Sequence, residues 1–460
     1  MKRCHIKESA RQILKFYPII LSGGFWYFTM FPGVMTPDSH YTILQSRGEV
    51  PLNSLHTIAF SLYVKFFSIN GNAIYVVTLV SLVLSMTALY GVIRLIFINN
   101  SQKFTICLTA LIFLTPFFGP FAVSIWKDNV YTSVTIIGLV FIVKHCKNPL
   151  QDKGSLFLGF GCLTIGSLFR GEGFILVTLL GLLISVFTLA KSISVGKYVG
   201  LVLVASGAIS FLLQNTVNNK FDELPKPTYQ NSFAFLLDLQ YVNSVRPELL
   251  QPTTKKILDE ISSGPSLKSA GSCTAPWDFL GEGFNQESAN AYHLKILGLW
   301  LDELKLDARE TLLSARYCKV KAIIPFPFGG IPTASWWPTI GISPNNFGYT
   351  HPAFTTYIYP IGYAWTYLWR VNGNLLAWPG LHLSFVIFFI FFTRLGRKYR
   401  SRNIFKLLFL LVSIRFSTFL IVAGSQEYRY YQMIYYLSIP FLAYIILNKF
   451  RESNTRVIQN

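Results

Sequence analysis

HTIAFSLYVKFFSI, residues 56–69, is apolar enough for a membrane but only 14 residues long, with Lys65 in its middle. A helix needs about 20 residues to cross the roughly 30 Å hydrocarbon core, so a segment this short is expected to lie in the interface instead of spanning it. Full-length apolar runs flank it at 13–31 and 73–98. Whether 56–69 crosses therefore fixes the side on which every later loop emerges.

The rest of the chain has the composition of a membrane protein. Of its 460 residues 52% are hydrophobic and only 13% charged, against about a quarter charged in soluble domains; the mean hydropathy is +0.43. The net charge of +19 does not point to nucleic acid, because of where it sits. Residues 214–374 hold 13 acidic and 13 basic side chains, leaving 27 basic and 8 acidic in the apolar remainder. If 56–69 does not span, crossings fall near 13–31, 74–98, 104–123, 129–143, 155–170, 173–190, 198–214, 376–393, 404–423 and 431–447. Under that count 21 of the 27 basic residues face the cytoplasm, as the positive-inside rule requires. A spanning 56–69 would put most of them outside.

The expected fold is thus an all-α polytopic membrane protein of about ten transmembrane helices, with both termini cytoplasmic. An N-terminal module, 1–214, carries seven spans and a first outer loop, 32–72, containing the interfacial helix. An extracytoplasmic, mainly helical domain, 215–375, is inserted before a C-terminal module, 376–460, of three spans. In the inserted domain Leu294, Leu297, Leu301 and Leu304 recur at helical spacing, and Asp307 with Glu310 reads as a capping box before a second helix through Lys321. Residues 325–374, rich in Pro, Gly, Trp and Tyr, suit irregular structure at the interface. Only Cys273 and Cys318 fall on the outer side of the membrane, which permits one disulfide. No Walker A or GxGxxG loop supports nucleotide-driven chemistry.

Acidic residues outside the inserted domain mark a candidate site. Asp38, Glu49, Asp128, Glu172 and Glu427 all fall in outer turns, accompanied by Arg47, Lys127 in WKDN, Arg170 in RGEG and Arg429 in EYRY, while the inner face is almost uniformly basic. Any one of these can be a satisfied charge at a helix end. Their convergence on one face favours function, since ionisable groups at the membrane boundary are otherwise costly. Carboxylates there suit proton abstraction from a hydroxyl or the holding of a divalent cation, and Lys and Arg suit a phosphate leaving group. Oxygen ligands would mean Mg2+, Mn2+ or Ca2+; adding His40 or His56 would admit Zn2+. Arg415, midway along the ninth expected span, needs a polar partner or a lipid phosphate.

The run PGVMTPDSHYTILQSRGEVPLNSLHT, with WKDN, RGEG and the late EYRY, resembles bacterial members of the GT-C superfamily of integral-membrane glycosyltransferases, which draw sugars from polyprenyl-phosphate carriers. The resemblance covers about 290 residues of the membrane part. It implies Asp38 as catalytic base or metal ligand, Asp128 as its catalytic support or second ligand, and Arg170 and Arg429 on the donor phosphate or sugar. His40, Gln45, His56, Lys127, Glu172 and Glu427 complete the implied binding set. The implied partners are a polyprenyl-phosphate sugar donor, membrane lipid and a glycan, lipid or protein acceptor; the implied location is the bacterial plasma membrane. The chain departs from the pattern in having His56-Thr57 for the usual His-Pro, and in placing its soluble domain between spans instead of after the last. The alternatives are a glycan polymerase or ligase, expected to rely more on Arg and His, and a transporter or flippase for lipid-linked sugars, expected to carry charges at the bilayer midplane and internal repeats.

Overall fold

The computed structural model describes residues 15–54, 57–147, 152–189, 194–223, 227–270, 276–321, 342, 350, 352–372, 379–392 and 432–459. Among these the chain is helical almost throughout, with isolated β-bridges and no strand. In chain order the helices are α1 (Tyr17–Thr29), α2 (Pro37–Arg47), α3 (Ile58–Phe67), α4 (Ile74–Ile96), α5 (Gln102–Phe113), α6 (Gly119–Ala122), α7 (Lys127–Lys147), α8 (Lys153–Leu168), α9 (Gly173–Leu189), α10 (Ser194–Phe221), α11 (Phe233–Val245), α12 (Pro252–Ile261), α13 (Gly264–Ser269), α14 (Gln286–Glu303), α15 (Arg309–Val320), α16 (Thr355–Asn372), α17 (Pro379–Phe392) and α18 (Gln432–Gln459).

Among the described residues three stretches, Ile74–Ile96 in α4, Lys127–Cys146 in α7 and Tyr198–Phe221 in α10, are long and apolar enough to cross a membrane. The helices α3, α5 and α8, with Gly173–Val186 of α9 and Gln432–Leu447 of α18, are apolar but shorter. The expected ninth span, with Arg415, lies outside the described residues.

The contacts divide the chain into two compact units, one holding residues 227–321 and the other the remaining described residues. In the larger unit α7 packs along α4 and α8, and α9 along α10. Gly181 of α9 and Gly200 of α10 face each other so closely that a Cβ on either would come within about 3 Å of the other's carbonyl oxygen (2.8 and 3.0 Å). Close backbone approach of this kind is how apolar helices gain packing energy where lipid tails offer no hydrophobic drive.

Helix α3 is ten residues long, about 15 Å at 1.5 Å per residue, half of a bilayer core. Its ends are sharply turned: Thr57 before it has φ 63°, and Ile69, Asn70 and Gly71 after it have φ 54°, 57° and 80°. The Tyr63 hydroxyl meets Ser81 on α4 at 3.3 Å, while Phe66 stays 78% exposed. A short helix with one packed and one bare apolar face is what the length of 56–69 predicts.

Helix α16 is a correction to the sequence reading, which expects irregular structure over 325–374. Its 18 residues include Pro360, and it lies against α1 in the larger unit. Trp365 Nε1 donates to Leu114 O at 2.9 Å.

The smaller unit is built around α11, whose Leu236, Leu237, Leu239 and Val242 are fully buried with Leu258, Ile261, Phe279, Ile296 and Leu312 from the helices around it. Asp238, also fully buried, accepts hydrogen bonds from Trp300 Nε1 at 3.2 Å, Arg316 Nε at 2.8 Å and Lys319 Nζ at 2.7 Å. Burial draws the Lys319 amine below the ordinary lysine range, and Asp238 opposes that shift. The expected capping box is absent: α15 starts with Ala308 at its cap and no side chain capping it. The helix starts two residues past Asp307, so Ala308 and not Asp307 takes the cap position. Cys318 is disulfide-bonded; Cys273 lies outside the described residues.

Candidate functional site

The site is organised by two short extended stretches ahead of α2 and α7. Gly33 has φ +143°, and a Cβ there would sit 2.5 Å from Thr78 Oγ1, so only glycine fits. From it the chain runs alongside 123–126: Val34 N donates to Val123 O at 3.0 Å and Ile125 N to Val34 O at 3.1 Å, making a parallel bridge between Val34 and Ser124. On its other side Met35 bridges Ile342. Two residues on, Trp126 Nε1 donates to Thr36 Oγ1 at 2.9 Å, and Ser39 Oγ donates to Ile125 O at 2.9 Å. Thr36 caps α2, its N–H held by Ser39 Oγ at 3.1 Å, with Pro37 in the first turn.

The pairs Val34/Ser124 and Thr36/Trp126 share one register. Two further residues along each chain stand Asp38 and Asp128, each in the first turn of its helix. The two predicted catalytic carboxylates thus occupy equivalent positions on helices that begin side by side. A helix N-terminus favours negative charge. Their surroundings differ: Asp38 is half-buried, whereas Asp128 is 2% exposed.

Asp128 is paired with Arg170 Nη1, and Arg170 Nε is paired with Glu172. Arg170 lies in the tight turn between α8 and α9, where Gly173 N donates to Arg170 O at 2.9 Å. Its guanidinium also stands 6.0 Å from the centre of the Tyr131 ring on α7. The same turn is tied to the first loop by Thr57 Oγ1, which donates to Phe169 O at 3.1 Å. Three loops far apart in sequence therefore converge, and with them Asp128, Arg170 and Glu172. One guanidinium between two carboxylates leaves that trio with a net negative charge; Lys127, half-buried, is the nearest cation in sequence.

The other predicted residues divide. His40 is buried on α2, and burial lowers its pKa. Gln45 is turned inward: Nε2 donates to Pro51 O at 3.1 Å and Oε1 accepts from Ser61 Oγ at 2.7 Å, fastening α3 to α2. Glu49 forms an exposed ion pair with Arg47 at 3.5 Å. His56, Glu427 and Arg429 lie outside the described residues. Among the described residues no group of three or more His, Cys, Asp or Glu is arranged to hold a metal ion.

Sequence reasoning missed two sets of supports. Asn129, fully buried, accepts from Ser85 Oγ at 2.9 Å and from Gln432 Nε2 at 3.2 Å, and donates to Ala122 O at 3.2 Å, locking the start of α7 to α4, α6 and α18. The signal was the Asn in WKDN and a Gln opening an apolar run, since polar groups inside a bundle must find partners. At the end of α10, Asp222 Oδ1 accepts from Ser54 N at 3.2 Å, and Glu223 N donates to Leu52 O at 2.9 Å. Comparison of the chain with protein-family models, curated proteins and solved structures finds no match.

Proposed function

We propose that the chain is a GT-C-like membrane glycosyltransferase of about ten spans. In this reading it moves a sugar from a polyprenyl-phosphate donor to a glycan, lipid or protein acceptor on the outer face of a bacterial plasma membrane, with both termini in the cytoplasm. The observation that carries the reading is the shared register of the first two outer loops, with Asp38 and Asp128 at matching helix starts and Arg170 and Glu172 beside Asp128.

The half-buried Asp38 can meet a substrate and acts as the base. It takes the proton of the acceptor hydroxyl as that oxygen bonds to the anomeric carbon; the bond from that carbon to the carrier phosphate breaks, and the phosphate leaves with the electron pair. Direct displacement inverts the carbon. Asp128, enclosed and paired, is a positioning residue that fixes Arg170, while Lys127 and Arg429 are the cations assigned to the leaving phosphate. Were a divalent cation bound, Asp38 and Asp128 would be the residues to hold it, with waters and substrate phosphate supplying its other oxygen ligands, and it would offset charge on the leaving phosphate; no step is routed through it.

The test is sugar transfer in membranes supplied with a radiolabelled polyprenyl-phosphate sugar. Asp38→Asn and Asp38→Ala should each cost about 100-fold or more, the usual scale for removing a general base. Full activity in both variants overturns the mechanism.

A further inference from the structure

The leucine repeat of α14 does not belong to the core of its unit. That helix carries two apolar stripes. One, with Ala289 and Ile296 buried and Tyr292, Leu299 and Trp300 half-buried, packs on α11 and its neighbours. The other runs through Ala291, Leu294, Leu297, Gly298 and Leu301, all exposed; Leu294 is 84% exposed. A bare, contiguous apolar stripe marks a surface meant to be covered.

We infer that this second stripe is a membrane-docking face, seated in the acyl–headgroup boundary of the bilayer. The inference rests on the membrane embedding proposed above and is independent of the chemistry. Chain connectivity favours lipid as the occupant: only six residues, 222–227, separate the end of α10, which carries a membrane-length apolar stretch, from the first 3-10 turn of this unit at Thr228–Asn231. Six residues reach at most about 20 Å, so a lipid surface is always close at hand. Lys295 borders the stripe and is exposed, with a stem long enough to lie along apolar surface while its amine meets phosphate; Lys305, further along, is paired with Asp302 at 3.1 Å. The alternative occupant, a second copy, is disfavoured by size, because three leucines, an alanine and a glycine fall far below the roughly 20–30 residues a side of a specific protein interface. A helix with one stripe for its own fold and another for the interface ties the unit to the membrane without adding a span.

The test uses the full-length chain in nanodiscs, with p-benzoylphenylalanine introduced in turn at Leu294, Leu301, Lys256 and Val83, followed by irradiation and intact-mass analysis. Leu294 and Leu301 should each yield a phospholipid adduct, as should Val83 on α4, while Lys256, exposed on α12, should yield none. If Val83 reacts with lipid and neither leucine position does, or if the leucine positions give a cross-linked dimer instead, the docking face is overturned. If Val83 also fails, the membrane reading itself fails.

Discussion

Arg170 carries out a task that lysine cannot. Its planar fork reaches Asp128 with one nitrogen and Glu172 with another while the guanidinium faces Tyr131; an ammonium is a point charge without that spread. Arg170→Lys should therefore fold but transfer sugar roughly 100-fold more slowly, the scale of a misplaced catalytic group, measured as kcat in the same membranes. His40 sets a pH limit on the same region. Its folded pKa is depressed by burial below the ordinary 6.5, so below that value the unfolded state binds more protons than the folded one. The stability that neutral His40 contributes is complete above 6.5 and is lost as pH falls through the lower folded value. Thermal unfolding of the purified protein between about pH 7.5 and 5 should show this loss, flattened in His40→Gln.

At the scale of elements, the proposed site rests on the pair α2 and α7, held together by the bridge of Val34 and Ser124 and by the indole of Trp126. Trp126→Phe removes the N–H to Thr36, worth a net of about 1 kcal/mol in stability, and part of a buried ring, whose cavity adds a further loss. If the shared register positions Asp38 against Asp128, its effect on kcat should exceed its effect on melting temperature; equal, small effects on both would make the contact merely structural. Much of this was legible in the sequence. The length of 56–69 gave the short α3, and the acid and base clusters in WKDN and RGEG gave Asp128 with Arg170 and Glu172. The coupling of the two aspartate loops was not legible, because it depends on backbone pairing across ninety residues of chain, and neither TPDSHY nor WKDN carries a strand pattern. The exposed face of α14 escaped for a related reason: helical spacing identifies a stripe, but α14 has two, and only packing decides which is buried. Likewise Pro360 and many aromatics made α16 read as irregular, whereas its contacts with α1 hold it helical.

At the scale of the whole molecule, the ten-span reading makes a claim about sides. Cysteines placed at Glu49 and Glu172, in a background with Cys107→Ser, should react with a membrane-impermeant maleimide from outside intact cells. Cysteines at Lys103 and Lys153 should react only after permeabilisation. Protection at 172 with labelling at 49 would mean that 56–69 crosses after all. One consequence reaches beyond any single substitution. The Val34/Ser124 bridge lies four residues before each aspartate, so one residue inserted into either tetrad would carry that aspartate out of register with the other. The two tetrads therefore behave as a single gauge: drift in the length of one must be matched in the other, and related chains should gain or lose residues there in step or not at all.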